Sequence, residues 1–367
     1  MPIYMDRHDV PGNIHAEHVA QMHQADLKIQ HLYGCKGITY WCDEERRTAF
    51  CLIEAPDEES LKQMHDHAHG DVPHRIIEVD ETLVESFLGR IEDPENTSGG
   101  DLNVITESAF RILMVVSLRK MPLSGADNTI TREIVRRIED EIPKNNGRPV
   151  ERNTQGVLSS FTCASDAVHA AVAVHENLTK YLKSISGHEL SFTISLSAGS
   201  PVTEKEGLFE ETITQGQRMC IAGENCVLIT TEVRQLFENE TMQDLPGSNF
   251  ITTLNLTEIE FLNVLMDFTE ESWNRADFKI NDMSQHLGYS KSQLYRKVVA
   301  LTGQSPNIFI KNYRLKKSLQ LLDQGNRNIA QIAFDTGFNS PSYFSKCFQE
   351  AFGILPSAYV KEKVGAA

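Results

Sequence analysis

The sequence lacks the features that mark several protein classes. No apolar run approaches the roughly 20 residues that span a bilayer, since residues 112–116 are flanked by Arg111 and Arg119. The N-terminus has no basic start followed by an apolar core, so no secretory signal is expected. The seven cysteines include no C-x-x-C pair, which argues against a disulfide framework and a tetrathiolate zinc site. These absences predict a cytoplasmic protein with no membrane partner.

Positive charge is scarce, but it is unevenly distributed. The chain of 367 residues has a formal net charge of −16. Residues 1–100 carry 8 basic and 20 acidic side chains, and residues 101–267 carry 14 and 23, whereas residues 268–367 carry 13 basic and 8 acidic ones. A polyanion such as DNA would be repelled by the first two segments and tolerated by the last.

The hydrophobic pattern divides the chain into three domains. Residues 1–80 predict strand, helix, strand, strand, helix, strand, a ferredoxin-like α+β order whose sheet keeps one open face for a ligand or a second protomer. Residues 81–102 are acidic and contain Gly and Ser, which is typical of a linker. Residues 103–250 predict an α/β domain. Residues 256–362 show only helical patterns, so an all-α domain is expected there.

The all-α segment contains an internal repeat. Residues 280–306 and 329–356 each predict a helix, a glycine-containing turn and a second helix. We align Lys297 with Lys346, 49 residues apart, and place a one-residue slip later, before the closing prolines. A short helix that braces a second, polar-faced helix is a helix-turn-helix unit, whose second helix can enter the major groove of DNA. The segment therefore predicts a double helix-turn-helix domain.

This segment resembles the AraC/XylS-type DNA-binding domain. The resemblance rests on GYSKSQLYRKVVALTGQSP, on RLKKSLQLL in the connecting helix and on IAQIAFDTGFNSPSYFSKCFQEAFGILPSAY. It implies a transcription regulator that binds double-stranded DNA. From the polar faces and the resemblance together, the DNA-facing residues are expected to be Ser292, Gln293, Tyr295, Arg296, Lys297, Asn339, Pro341, Ser342, Ser345 and Lys346. Tyr343 is expected in the core.

Residues 108–237 resemble a class III nucleotide cyclase domain, through SAFRILMVVSL, ERNTQGVLSSF and ETITQGQRMCIAG. Ser117 and Gln155 stand where that family has its metal-binding aspartates, and Thr214 replaces an asparagine, whereas Arg218 is retained. Two-metal phosphoryl chemistry needs hard anionic oxygens, so the resemblance implies a non-catalytic domain for dimerisation or signal relay. The rival hypothesis is a nucleotide cyclase, or a nucleotide-sensing protein, with a DNA-binding tail.

Histidines are concentrated in QMHDHAHGDVPH, residues 63–74. If residues 57–69 are helical, His65 and His69 lie one turn apart on the same face, a spacing at which two imidazoles can share a metal ion. His67 then points away from them.

Residues 1–80 resemble a small family of ferredoxin-like nickel-binding proteins, through MPIYMDRHDVPG, AEHVAQMHQADLKIQHLYG, YWCDEERRTAFCLIEAP and MHDHAHG. The resemblance implies a metal site at His8, His65 and His69, for a divalent transition metal such as nickel. Thiols that could complete it are Cys35, Cys42 and Cys51. The alternatives are merely solvated histidines, or an organic effector or second protomer on the open sheet face.

Together these patterns predict a DNA-binding transcription regulator that is not an enzyme. Its two N-terminal domains are expected to sense a metal or small molecule and to hold a homodimer.

Overall fold

The computed structural model describes residues 1–11, 15–95, 102–119, 128–153, 156–185, 190–247, 249–325 and 328–366. The first domain consists of β1 (Ile3–Asp9), α1 (Ala16–Ile29), β2 (Lys36–Asp43), β3 (Thr48–Glu54), α2 (Glu58–Ala68) and β4 (Arg75–Val79). Its strands form an antiparallel sheet in the order β2-β3-β1-β4. The predicted ferredoxin-like fold is confirmed.

The predicted linker begins with a buried helix, α3 (Glu81–Leu88). Val84, Phe87 and Leu88 on this helix are buried, because they pack into an apolar cluster between the first two domains. The structure therefore corrects the first part of the linker prediction, since residues 81–88 form a helix that packs on both domains.

The middle domain alternates helices and strands. Its elements are β5 (Arg111–Arg119), α4 (Asn128–Glu141), β6 (Arg148–Asn153), β7 (Gly156–Phe161), α5 (Ala164–Ser184), β8 (Ser191–Gly199), α6 (Glu210–Met219), β9 (Cys226–Thr230), α7 (Thr231–Thr241) and β10 (Ile251–Leu254). The sheet order is β10-β9-β8-β5-β7-β6. From β5 to β8 the chain repeats the βαββαβ order and the strand neighbours of the first domain.

The first sheet packs on the middle domain through an apolar cluster that also contains residues of α3 and α6. Along β5, Met114 and Val116 pack on the core formed with α4, α5 and α7, whereas Leu113 and Val115 point to the opposite face, as strand alternation requires. There they share a cluster with Met5, Trp41, Phe50, Leu52 and Ile77 of the first sheet. The sheet face that we expected to be open for a ligand or a protomer is thus covered by the middle domain.

The last domain is helical, as expected. Its helices are α8 (Leu256–Ser272), α9 (Ile280–His286), α10 (Lys291–Thr302), α11 (Pro306–Asp323), α12 (Ile329–Asp335), α13 (Pro341–Phe352) and α14 (Pro356–Ala366). The first helix-turn-helix unit, α9 and α10, shares a core with α8 and with the middle domain. The second unit, α12 and α13, has a separate core with part of α11.

The structure places the slip in the repeat earlier than the sequence alignment did. Helices α9 and α12 start 49 residues apart, but α10 and α13 start 50 residues apart. The extra residue lies in the second turn, before the N-cap serine of α13. Arg296 is therefore equivalent to Lys346, and Lys297 is equivalent to the buried Cys347.

Within the described ranges, no helix combines the length and the apolar character needed to cross a bilayer.

Candidate metal pocket and DNA-binding face

The structure brings the three predicted metal-binding histidines together in the first domain. Strand β1 presents Asp6 and His8 on its helix-covered face, and the end of α2 presents His65 and His69 one turn apart. The ring centroids of His8 and His65 are 5.1 Å apart, and those of His65 and His69 are 5.2 Å apart. His65 is fully buried. Residues distant in sequence thus converge on one point.

Carboxylates hold these imidazoles in place. Asp6 Oδ2 lies 3.0 Å from His65 Nε2, and Asp6 Oδ1 lies 3.4 Å from His8 Nε2. The other nitrogen of His8, Nδ1, lies 2.9 Å from Asp71 Oδ2. Because the rings are paired on both sides, their orientations are fixed before any ligand arrives.

Asp26 on α1 shows that the pocket is suited to a cation. Its Oδ1 atom lies 3.2 Å from His65 Nδ1 and 3.2 Å from His69 Nε2. Neither approach has hydrogen-bond geometry, so this buried oxygen has no hydrogen-bond partner among the described residues. His65 Nδ1 and His69 Nε2 lie 3.1 Å apart and pair with each other. An unpartnered carboxylate oxygen beside two imidazole nitrogens is a ligand set for a metal ion.

Two groups of potential ligands meet in this pocket. Ligand atoms of Asp6, His8 and Cys51 lie within 4.8 Å of one another, and so do those of Asp26, His65 and His69. The cavity between them is about 10 Å³, which suits a single ion or water. Apolar side chains, including Val10, Val19 and Met22, close it off. Imidazole, carboxylate and thiol together suit nickel, copper or zinc better than calcium or magnesium.

The electrostatics of the pocket favour charged histidines when no metal is bound. Burial disfavours the imidazolium of His8, but the negative charge of Asp6 and hydrogen bonds with Asp6 and Asp71 outweigh it and raise the pKa of His8 to about 9. Burial likewise opposes the charge of His65, but Asp26 and Asp6 raise its pKa to about 10. Burial raises the pKa of the Cys51 thiol well above its usual value. A metal ion must therefore displace protons.

Sequence reasoning missed Asp26. The available signal was its position on the buried stripe of α1, where Val19, His23 and Asp26 follow at helical spacing. Of the three cysteines proposed as further ligands, only Cys51 belongs to a ligand group in the described residues, whereas Cys35 and Cys42 lie in the apolar core.

His67 is exposed and pairs with the Tyr33 hydroxyl at 2.9 Å, consistent with the predicted direction away from the pocket.

The second helix of each helix-turn-helix unit presents an exposed polar face. On α10, Ser292, Tyr295 and Arg296 are exposed, and on α13 so are Ser342 and Lys346. Asn339, in the second turn, is also exposed, whereas Pro341 and Ser345 are half-buried. Ser290 and Ser340 cap the N-termini of the two helices. These faces stand where a recognition helix would meet base edges.

Two residues depart from the predicted arrangement. Lys297 turns back onto the protein, because its Nζ atom lies 5.2 Å from the ring centre of Phe261 and 5.1 Å from that of Tyr289. Tyr343, expected in the core, is 56% exposed. The one-residue shift of α13 explains both differences, since it aligns Lys297 with a buried position and Tyr343 with the exposed Gln293.

Gln293 itself serves the helix terminus, because its Oε1 accepts a hydrogen bond from Ser290 N at 3.0 Å.

In the middle domain, the described residues singled out by the cyclase resemblance lie on two different elements. Ser117 is half-buried at the end of β5, and Gln155 lies outside the described residues. Thr214 and Arg218 lie one turn apart on α6. Arg218 points toward α8, where its Nη2 atom is 2.5 Å from Asp267 Oδ1.

Two segments match known families. Residues 4–79 match the family described as "Nickel responsive protein SCO4226-like", and residues 283–362 match the family "Helix-turn-helix domain". The solved structure of SCO4226 from Streptomyces coelicolor A3(2) is 31% identical, with a TM-score of 0.20, and the match covers 21% of this chain and 94% of that one.

Curated relatives match over similar lengths. The "Histidine kinase P4" of Formosa agariphila is 39% identical over 107 residues, which is 29% of this chain and 8% of the relative. The "HTH-type transcriptional regulator MtrA" of Neisseria gonorrhoeae is 31% identical over 98 residues, 27% of this chain and 31% of the relative. The chain thus spans less than a third of either relative. Within it, residues 4–79 are similar to the SCO4226-like nickel-responsive proteins, and residues 283–362 are similar to the helix-turn-helix domain of AraC-type regulators.

Proposed function

We propose that this protein is a sequence-specific transcription regulator of the AraC type that senses a divalent transition metal such as nickel. The observation that carries the DNA-binding part is the pair of helix-turn-helix units with capped, exposed second helices. The observation that carries the sensing part is the closed pocket in which His8, His65 and His69 converge with Asp26.

In the DNA-binding step, α10 and α13 would lie in successive major grooves. The connecting helix α11 has 18 residues, which at 1.5 Å per residue gives a spacer of about 27 Å. Arg296 and Lys346, which are equivalent after the structural realignment, would contact base edges or phosphates. Because phosphate contacts release counterions, affinity for DNA is expected to fall steeply with salt.

In the sensing step, the histidines and carboxylates of the pocket would hold the metal. When bound, the metal supplies a positive charge and fixed coordination in place of the protons on His8 and His65. The pocket lies on one face of β1 and β3, and the middle domain packs on the other face. A change of geometry in the pocket would therefore alter the packing of the first sheet against the middle domain.

The metal-sensing proposal is tested by calorimetric titration of metal-free protein with nickel, copper and zinc. His65→Ala and His69→Ala should each weaken nickel binding at least tenfold. The matched control is His67→Ala, two residues away and exposed, which should bind nickel like the wild type. Equal nickel affinity in all three variants would refute the metal site and turn attention to a small-molecule effector.

The middle domain is proposed to relay the signal and not to catalyse, because Ser117 and Gln155 offer no carboxylate for magnesium. The rival cyclase hypothesis predicts cyclic nucleotide formation from ATP or GTP with Mg²⁺ or Mn²⁺, and an assay for that product distinguishes the two.

We also propose that the protein is a homodimer. Since the expected sheet face is covered within the chain, a second copy must use another surface, and sedimentation equilibrium would measure the assembly.

A further inference from the structure

We infer that Arg218 is a positioning residue that couples the metal pocket to the first helix-turn-helix unit. The inference rests on the proposed function and concerns its regulation. Arg218 lies on α6 and was singled out by the cyclase resemblance. Neither the proposed DNA contacts nor the proposed metal ligands include it.

Arg218 holds α8 through several contacts. Its Nη1 atom lies 3.2 Å from Asn263 Oδ1, and its Nη2 atom lies 2.5 Å from Asp267 Oδ1 and 3.2 Å from Glu270 Oε2. These partners follow one another on a single face of α8. Only 13% of the Arg218 side chain is exposed, whereas Asp267 and Glu270 are 58% and 47% exposed. The arginine is thus anchored by its burial, and its two ion pairs remain partly screened by solvent.

Helix α8 in turn positions the first recognition helix. Leu262 and Leu265 on α8 share a core with Leu294 and Val298 on α10. Lys297 on α10 also lies against Phe261 of α8. A displacement of α8 must therefore move α10, because a close-packed core transmits movement instead of absorbing it. The second unit, with its separate core, would not be displaced in the same way, so the angle between the two recognition helices would change.

The other end of α6 is attached to the first domain. Phe209, which precedes the helix, is fully buried, and its ring centre lies 4.8 Å from that of Phe87 on α3. The loop before it accepts hydrogen bonds from two arginines of the first domain: Arg7 donates to Val202 O at 3.4 Å, and Arg75 donates to Glu204 O at 3.2 Å. Helix α6 thus connects the first domain to α8.

Those two arginines lie beside the metal pocket. Arg7 stands between Asp6 and His8 on β1, and its carbonyl oxygen accepts a hydrogen bond from His74 N at 2.8 Å. Arg75 follows at the start of β4. The loop between α2 and β4, which contains His74, also contains Asp71, and Asp71 contacts His8. Metal capture by His8 and His69 would change the partners of Asp71 and so shift the loop that leads to Arg75.

A contiguous set of contacts does not by itself demonstrate coupling, so the test measures coupling directly. Operator DNA would first be selected from a random library with the full-length protein. The operator affinity of the wild type and of each variant is then measured by fluorescence anisotropy, with and without saturating nickel. For the wild type, nickel should change operator affinity by about 5- to 100-fold.

Arg218→Met keeps the aliphatic stem but removes the guanidinium. It should bind nickel and DNA, and nickel should change its operator affinity less than about twofold. Arg218→Lys should recover part of the response, which a purely structural role would not predict. The double variant Asp267→Asn with Glu270→Gln removes the same ion pairs by neutralising the carboxylate partners on α8. It should lose the nickel response in the same way, and it replaces Arg218→Met as the test if that variant does not fold.

The matched control is Arg136→Met. Arg136 is 58% exposed and pairs with Glu133 and Asp140 within α4, so this variant should respond to nickel like the wild type. If the Arg218 variants also kept the full wild-type response, the inference would be refuted while the proposed function stood. If the wild type bound both nickel and operator but showed no response, the sensing part of the proposed function would fail, and this inference with it.

Discussion

Arg296 and Lys297 are neighbours on α10, yet alanine substitution should weaken DNA binding at the first position and lower stability at the second. Arg296 is exposed on the face that would meet DNA. Lys297 lies over the rings of Phe261 and Tyr289. From sequence both were expected to face DNA, so the pair tests whether the structural register of the recognition helix is correct.

Arg296→Ala should mainly change DNA affinity, whereas Lys297→Ala should mainly change the free energy of unfolding. Loss of a bidentate contact to a base costs about 1–3 kcal/mol, so Arg296→Ala should weaken specific operator binding by roughly 5- to 150-fold and leave stability unchanged. Loss of a cation-π contact costs about 0.5–1 kcal/mol at a partly exposed site. Lys297→Ala should lower the free energy of unfolding by about that amount and change specific affinity less than about threefold.

The assays are anisotropy titrations with operator and scrambled DNA at one fixed salt concentration, and urea denaturation of the same proteins. Lys346→Ala provides a second comparison, since the structure makes Lys346 the equivalent of Arg296 in the other unit. If Lys297→Ala lost as much discrimination between operator and scrambled DNA as Arg296→Ala, the register of α10 would be wrong.

Three further predictions follow from the geometry. Because His8 and His65 have raised pKa values, about 9 and 10, both are in the charged imidazolium form at neutral pH. Nickel binding should therefore release about two protons, seen by calorimetry in buffers of different ionisation enthalpy, and nickel affinity should increase with pH up to about pH 10. Gly337→Ala should lower the free energy of unfolding, measured by urea denaturation, by about 2–4 kcal/mol, because φ is +77° and a Cβ would lie 2.9 Å from a backbone oxygen. Gly288 has a similar φ of +72° but open space around it, so Gly288→Ala should lower the free energy of unfolding by only about 1–2 kcal/mol. Phe87→Ala should destabilise the protein by about 3–5 kcal/mol in the same assay, since the predicted linker buries this ring between two domains.

Much of the local structure could be predicted because its causes are local. Alternation of apolar residues predicts the strands, and the serines at positions 290 and 340 mark the starts of the two second helices. The 49-residue repeat was visible for the same reason. The alignment of Lys297 with Lys346 failed because it relied on residue identity, whereas the buried positions Leu294 and Phe344 fix the true register.

Long-range contacts could be predicted less well. His65 and His69 are one helical turn apart, so their proximity follows from the sequence. Asp26 lies on a different helix, and only the packing of α1 against α2 brings its oxygen within 3.2 Å of both rings. The packing of the first sheet against the middle domain was also missed, since an apolar sheet face has the same pattern whether a domain, a ligand or another protomer covers it.

The sequence by itself determined most of the strands and helices, though not α3, as well as the reversal of charge along the chain and the duplicated helix-turn-helix pattern. These depend on neighbours within a few residues or on simple composition. Only the tertiary structure decided that the sheet of the first domain is covered, that Asp26 joins the histidines and that Arg218 contacts α8. Those contacts join residues 20 or more positions apart, and they exist only because the apolar faces of separate elements are buried against one another.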